Sequence, residues 1–122
     1  MAEIVGPVSW RFQPQLILVS AGYDAHWDDP LAYMQLSIEG YTRIARAVKQ
    51  LAEELCEGRL VITLEGGYHL EALSFSVLNT FAVLLGDEDW TIRDPLGPSP
   101  RAERSVDDVI QRVRQVHGLM RP

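Results

Sequence analysis

The alternation of hydrophobic and polar residues is most regular over residues 38–57. There the apolar positions recur every three or four residues, as they do on the buried face of an amphipathic helix. Ser37 is placed to cap the first turn, and Gly58 provides a residue that tolerates the left-handed conformation at the helix end. The apolar stripe consists of Ile38, Tyr41, Ile44, Ala45, Val48, Leu51, Ala52 and Leu55.

An apolar run precedes this helix at residues 15–20 and another follows it at residues 59–65. Both runs are short and aliphatic and show no alternation, which is typical of strands buried on both faces. A strand, a long helix and a second strand form a right-handed parallel crossover. The predicted fold class is therefore α/β, a parallel sheet with helices on both faces.

The other segments predict more helices around this unit. Residues 2–12 have helical spacing, which Gly6-Pro7 weakens, and residues 70–85 are apolar nearly all round, as in a helix buried on several sides. Residues 87–103 contain three prolines and predict an irregular wrap. Ser105 is placed to cap a last helix, whose expected inner face is Val106, Val109, Ile110, Val113 and Val116.

We expect residues 1–122 to form a single partial domain, with residues 87–122 as its wrap and terminal helix. The apolar helix at 70–85 needs more cover than two strands provide. The chain also opens directly in a helical pattern at residue 2, as though a segment upstream were missing.

Composition and charge argue against some classes of binding partner. The formal net charge of −6 argues against nucleic acid, which requires a concentrated basic face. No apolar run is long enough to cross a membrane, so no membrane partner is expected. Cys56 is the only cysteine, which favours a reducing cytoplasm and a small buried side chain rather than a reactive thiol.

Candidate chemistry follows the first predicted strand. Asp24 is either a turn residue that hydrogen-bonds its own backbone or a metal ligand, since aspartate is a standard zinc ligand. Asp24 and His26 have the spacing of a chelating pair if the chain is extended. A zinc site would need a third ligand, and only His69 and His117 remain as further histidines. His117 is better explained as a solvent-facing residue near a helix end.

A second candidate segment, Glu65-Gly66-Gly67-Tyr68, follows the other strand. The two glycines allow a ligand to approach the backbone closely, either an anion beside the next helix or a substrate held against the tyrosine. In the second case the Tyr68 hydroxyl can stabilise a developing oxyanion. A tight turn with a half-buried tyrosine is the structural alternative.

Taken together, these two segments resemble a known family. Ser20-Ala21-Gly22-Tyr23-Asp24-Ala25-His26, followed by Asp29-Pro30-Leu31, and then Leu64-Glu65-Gly66-Gly67-Tyr68-His69-Leu70 closely resemble two signatures of the zinc-dependent histone deacetylase superfamily. The bacterial histone-deacetylase-like amidohydrolases and acetylpolyamine amidohydrolases look like the nearest branch. The resemblance covers about residues 4–86 and implies the C-terminal part of a three-layer fold like that of arginase.

The resemblance implies roles for four residues. Asp24 would be one of three zinc ligands, and Tyr68 would donate a hydrogen bond to the acetyl carbonyl and the tetrahedral oxyanion. Gly66 and Gly67 would line the channel for an acetylated lysine or polyamine. Zinc would polarise the carbonyl and the attacking water.

The same resemblance shows what this chain lacks. The family's other two zinc ligands lie on an earlier strand, and its tandem catalytic histidines have no counterpart here. His26 is followed by Trp27 rather than by a second histidine, so it is not assigned as a ligand. We expect a C-terminal deacetylase fragment that is inactive alone and whose N-terminal part is missing or on another chain. The alternatives are an assembly module that dimerises through its sheet edge and apolar helix, and an anion binder that uses Gly66-Gly67.

Overall fold

Four helices and two strands make up the fold. The computed structural model describes residues 1–32, 34–87, 89 and 92–119. The elements are α1 (Val5–Phe12), β1 (Ile17–Ala21), α2 (Ile38–Cys56), β2 (Leu60–Leu64), α3 (Leu70–Leu85) and α4 (Asp107–Val116). Each lies within a residue or two of its predicted range, except α1, which begins three residues later than expected.

The two strands pair in parallel, as the crossover pattern predicts. Their register runs from Ile17 opposite Leu60 to Ala21 opposite Leu64. Backbone pairing continues past the strand ends, where the Glu65 amide donates to the Ala21 carbonyl over 3.0 Å and the Tyr23 amide donates to the Gly66 carbonyl over 2.8 Å. The two candidate segments are therefore held side by side at one edge of the sheet.

Helix α2 has the predicted ends. The Ser37 hydroxyl accepts a hydrogen bond from the Gly40 amide at 3.1 Å, which satisfies one free donor of the first turn. At the other end the chain leaves through two left-handed residues, Gly58 as expected and Glu57 before it, with φ of 76° and 55°. Cys56, in the last turn, is buried as expected.

The strands differ from the prediction of complete burial. Their side chains alternate between a half-buried face and an exposed one, and Leu18 and Val61 on the open face are 70% and 49% exposed. The covered face packs on α2, so the described part of the chain provides a helical layer on one side of the sheet. Strands made of apolar residues alone are normally covered on both faces. The described residues cover only one face of these strands.

Helix α3 also differs from the prediction of burial on several sides. The side that is buried against α2 carries small and polar residues: Ala72, Ser76, Asn79, Thr80, Ala82 and Val83. Its large apolar residues Leu70, Leu78, Phe81 and Leu85 are exposed. Small side chains bring the two helices close together, and the Asn79 amide and the Thr80 hydroxyl are hydrogen-bonded, while the Ser76 hydroxyl is buried without a partner among the described residues.

The predicted wrap is anchored to this helix pair by one buried amide. The Asn79 side chain accepts from the Ile92 amide at 2.7 Å, and its Nδ2 donates to the Ile92 carbonyl at 3.0 Å. The same Nδ2 donates to the Thr42 hydroxyl at 3.1 Å. The Asn79 side chain therefore connects residue 92 to α2 and α3 through three hydrogen bonds. Glu88, Trp90 and Thr91 of the predicted wrap lie outside the described residues.

Helix α4 was predicted with the wrong cap and the wrong burial. It begins at Asp107 with Val106 as its N-cap residue, although the Ser105 hydroxyl does accept from the Asp107 amide at 3.2 Å. Val106, Val109 and Val116 of the expected inner face are more than half exposed, and Ile110 and Val113 are only partly buried. Polar contacts to α1 hold the helix instead, including a hydrogen bond of 2.7 Å from Arg11 Nη1 to the carbonyl of the exposed His117.

None of the helices in the described part of the chain is both long and apolar enough to span a membrane.

Candidate functional site

The Asp24 carboxylate lies between two glycines. A Cβ added at Gly22 would lie 2.6 Å from its Oδ1, and one added at Gly66 would lie 2.9 Å from its Cγ. Any side chain at either position would displace the carboxylate. The glycines of the two segments therefore provide the space that Asp24 occupies at the edge of the sheet.

Gly67 is required for a different reason. Its φ is 137°, which side-chain-bearing residues rarely adopt. An added Cβ would also lie 3.0 Å from Leu73 Cδ1 and 3.1 Å from Tyr23 Cβ. The Gly66-Gly67 turn thus needs glycine for space at the first position and for both conformation and space at the second.

Tyr68 follows this turn and projects its side chain outward. It is 53% exposed. Together with Asp24, Gly66 and Gly67 it lies where the two parallel strands end, as the sequence predicted. An exposed phenol at the same end of the strands as a glycine-lined carboxylate can meet a ligand that enters from solvent.

His26 does not form the chelating pair that an extended chain would allow. The backbone turns here, because the His26 amide donates to the Tyr23 carbonyl at 3.4 Å. The ring is completely buried, and its Nδ1 accepts a hydrogen bond from the Asp28 amide at 3.2 Å. Burial is the main cause that lowers the pKa of His26, so the neutral ring is favoured. The chelating interpretation is wrong, and leaving His26 out of the ligand set agrees with this geometry.

Asp29 is a site residue that the sequence analysis named within a signature but gave no role. Its Oδ2 accepts from the amides of Tyr68 at 2.8 Å and His69 at 3.2 Å, and its Oδ1 accepts from the Leu31 amide at 2.9 Å. Although burial opposes the charge, these backbone hydrogen bonds hold the pKa of Asp29 below its usual value. Aspartate before proline in a long connection is the only sequence signal that pointed to it.

His69, which the sequence left as a possible further metal ligand, caps α3. Its Nδ1 accepts from the Ala72 amide at 3.2 Å, and its Nε2 lies 3.3 Å from Asp28 Oδ2. The amides at Tyr68, His69 and Ala72 therefore already have acceptors within the chain. An anion bound beside the start of α3 would have to displace these acceptors, while the anion-binder hypothesis for the Gly66-Gly67 amides stays a prediction.

Two buried tyrosines, Tyr23 and Tyr41, lie in the core near the candidate site. Tyr23 and Tyr41 pack with their ring centroids 5.0 Å apart. Thr80 donates to the Ser76 carbonyl, so the Tyr23 hydroxyl is the donor in its 2.9 Å hydrogen bond to Thr80 Oγ1. Burial first, and then the charge of Asp24, raises the pKa of Tyr41 above its usual value.

The described residues do not provide a full set of zinc ligands. A glycine-lined carboxylate such as Asp24 suits a zinc ion, but a catalytic zinc site uses three protein ligands. The described residues contain no group of three histidine, cysteine, aspartate or glutamate side chains that could hold a metal. The described residues therefore do not form a complete three-ligand zinc site.

Comparison with known proteins identifies the family. Residues 1–84 match the model of the histone deacetylase domain, and the chain belongs to this family. It is 46% identical over 119 residues to histone deacetylase 14, chloroplastic, of Arabidopsis thaliana, and 40% identical over 100 residues to polyamine deacetylase HDAC10 of Homo sapiens. Among solved structures, it superposes on the histone deacetylase Clr3 with a TM-score of 0.72 at 28% identity.

These matches cover most of this chain and a small part of each relative. The alignments include 96% of the chain and 28% of the Arabidopsis protein, and 82% of the chain and 14% of the human protein. The superposition on Clr3 includes 97% of the chain and 18% of that structure. The α/β fold class is thus confirmed, and the chain corresponds to a part of the deacetylase domain.

Proposed function

We propose that this chain is one part of the active site of a zinc-dependent deacetylase. The observation that carries the proposal is the Asp24 carboxylate in its space between Gly22 and Gly66, beside Tyr68, in a chain of the histone deacetylase family. Asp24 would be a zinc ligand, and the Gly66-Gly67 turn would line the substrate channel. When bound, zinc would supply Lewis acidity toward the carbonyl and the water.

The role proposed for Tyr68 follows from its exposure and its hydroxyl. A phenol at the entrance of the site can donate a hydrogen bond to the carbonyl oxygen and can donate more strongly as that oxygen becomes an oxyanion. Such preorganised donors commonly contribute about 10²–10³ to kcat.

The substrate class we propose is an amide of acetic acid with lysine or a polyamine. Relatives of this chain include histone deacetylases and a polyamine deacetylase. We also propose that the remaining zinc ligands and the general base come from the part of the domain that this chain does not match. A reducing cytoplasm is proposed as the location, in keeping with the single buried thiol of Cys56, and fractionation of source cells would test it.

An activity assay of the isolated chain tests whether the site is incomplete. Purified, chelator-treated protein would be incubated with acetyl-lysine and acetylpolyamine substrates, with and without added zinc. We expect no turnover above that of the Asp24→Asn variant. Zinc-dependent turnover that the substitution abolishes would overturn the inference of incompleteness and would show that the chain assembles the missing groups itself.

A second candidate function is a non-catalytic assembly module. The specific observation in its favour is two exposed apolar surfaces, one on α3 with Leu70, Leu78, Phe81 and Leu85 and the other on the open sheet face with Leu18 and Val61. A second copy of the chain could cover these surfaces. Sedimentation that shows a monomer at all accessible concentrations would contradict homodimerisation.

A further inference from the structure

Asp29 connects the two segments that form the candidate site. It lies in the loop after β1, and its carboxylate accepts hydrogen bonds from the backbone of the loop after β2. The acceptor Oδ2 lies 2.8 Å from the Tyr68 nitrogen and 3.2 Å from the His69 nitrogen. Its Oδ1 is fixed by the Leu31 amide at 2.9 Å, so the side chain has little freedom to turn away.

Asp28 makes a second connection between the same loops. His69 accepts a hydrogen bond at Nδ1 from the Ala72 amide, so a neutral His69 ring carries its proton on Nε2. That nitrogen lies 3.3 Å from Asp28 Oδ2. Asp29 thus contacts the second loop through the amides of Tyr68 and His69, and Asp28 contacts it through the His69 ring.

The Tyr68 side chain has few other restraints. It is 53% exposed, and in the described part of the chain no hydrogen bond involves its hydroxyl. The two residues before it are glycines, which allow the backbone more conformations than any other residue. Its direction therefore depends on the hydrogen bonds that hold its own amide and the amide of His69.

We propose that Asp29 is a positioning residue, which sets the placement of Tyr68 relative to Asp24 by holding the Tyr68 and His69 amides from the opposite loop. The inference rests on the proposed role of Tyr68 in catalysis. It assigns a function to Asp29 that composition and spacing did not suggest. Asp28 supports the same placement through His69.

The chain offers a matched control for this proposal. Asp94 has the same chemistry as Asp29, because its carboxylate accepts from three backbone amides, those of Ile38, Leu96 and Gly97, each at 2.9 Å. These hydrogen bonds hold the wrap and the start of α2 rather than the Tyr68 loop. Asp29→Asn and Asp94→Asn therefore remove equivalent interactions at different places.

Nuclear magnetic resonance of the full chain at neutral pH provides the test, and it does not require activity. In the wild-type protein we expect a scalar coupling across the hydrogen bond between the Tyr68 nitrogen and the Asp29 carboxyl carbon. In Asp29→Asn we expect amide exchange at Tyr68 and His69 to accelerate about tenfold, the effect of losing about one net hydrogen bond. The Tyr68 order parameter should fall from about 0.85 to below about 0.6.

The Asp94→Asn variant should leave the amide exchange rate and the order parameter of Tyr68 unchanged. It should accelerate amide exchange at Leu96 and Gly97. Tyr23, which is hydrogen-bonded to Thr80, should remain ordered in both variants. If Asp29→Asn does not fold, Asp29→Glu keeps the charge with a longer side chain and provides the same comparison. Equal behaviour of Tyr68 in the Asp29 and Asp94 variants, or no coupling in the wild type, would overturn the proposal whatever the chain catalyses.

Discussion

The Asp24 carboxylate lies against Gly66, so close that a methyl group added there would be 2.9 Å from its Cγ. The two residues belong to different loops, which continued backbone pairing between Tyr23 and Gly66 brings together at 2.8 Å. This contact connects the carboxylate after one strand with the glycine turn after the other. It explains why both segments carry glycine where each meets Asp24.

We predict that Gly66→Ala displaces Asp24 and destabilises the fold by about 1–3 kcal/mol, because an added methyl must be accommodated in a packed contact. Gly6→Ala is the matched control. Gly6 lies in α1, where the nearest atom to an added Cβ is 3.9 Å away, and alanine there should stabilise by about 0.5–1 kcal/mol. Urea unfolding measures both changes. Equal stability of the Gly66→Ala variant and the wild type would contradict the geometry of this contact.

The second prediction concerns the acid stability that Asp29 contributes. Its pKa is lower in the folded protein, so its contribution is fully present above the ordinary value of 3.8 and is lost as pH falls through the lower folded-state value. His26 and Tyr41 are the titratable groups that interact with its charge. We expect Asp29→Asn to lower the free energy of unfolding at neutral pH by about 1–3 kcal/mol, and this difference should shrink below about pH 4.

The exposed Asp87 provides the control for the acid-stability measurement, since its substitution by asparagine should change little at any pH. Unfolding curves at several pH values measure the effect. A difference between Asp29→Asn and the wild type that stays constant down to pH 2 would show that the charge of Asp29 is not what stabilises the loop.

Asn79 should be essential for holding the wrap. Asn79→Ala removes the acceptor for the Ile92 amide and the donor for its carbonyl, which leaves buried polar groups without partners. We expect a loss of at least about 2 kcal/mol in the free energy of unfolding, with faster proteolysis around residues 92–97. Gln50→Ala, which breaks a surface hydrogen bond to Glu54, should cost far less. A wrap that resists protease equally well in both variants would contradict this role.

The exposed apolar side of α3 should govern self-association. Phe81 is 59% exposed, so Phe81→Glu should reduce association without loss of stability. Val116 on α4 is even more exposed, and Val116→Glu provides the control for a charge placed elsewhere on the surface. Sedimentation over a range of concentrations measures the change. Association that both substitutions weaken equally would show that α3 is not the contact surface.

Much of the fold could be predicted from the sequence. Helical spacing located α2 and α3 closely, and two aliphatic runs located the parallel strands. What spacing could not show was which side of α3 is buried, because Phe81 and Leu85 look like core residues until Asn79 finds its partner Thr42 on α2 and Thr80 finds Tyr23. The exposed valines of α4 were misplaced for a related reason, since hydrophobicity indicates that a surface needs cover and not whether this chain supplies it.

The candidate site was predicted in part. The strand ends brought Asp24, Gly66, Gly67 and Tyr68 to one edge, as parallel strands require. Asp29 was overlooked because its partners are backbone amides 39 and 40 residues away, and amides leave no mark in a sequence. The extended geometry assumed around His26 was wrong because a turn forms there.

The most direct test of the proposed active site is the kcat of a chimera. The matched 119-residue segment of the Arabidopsis relative would be replaced by this chain, and acetyl-lysine hydrolysis would be compared for the parent chimera, Tyr68→Phe and Tyr41→Phe. Each substitution removes one phenolic oxygen, but Tyr41 is buried and not open to a substrate that enters from solvent.

We expect a chimera with chelator-sensitive activity, a kcat lowered about 10²–10³-fold by Tyr68→Phe with little change in KM, and near-normal activity in Tyr41→Phe. A folded, active chimera in which Tyr68→Phe keeps its kcat within about threefold of the parent would contradict the role assigned to Tyr68.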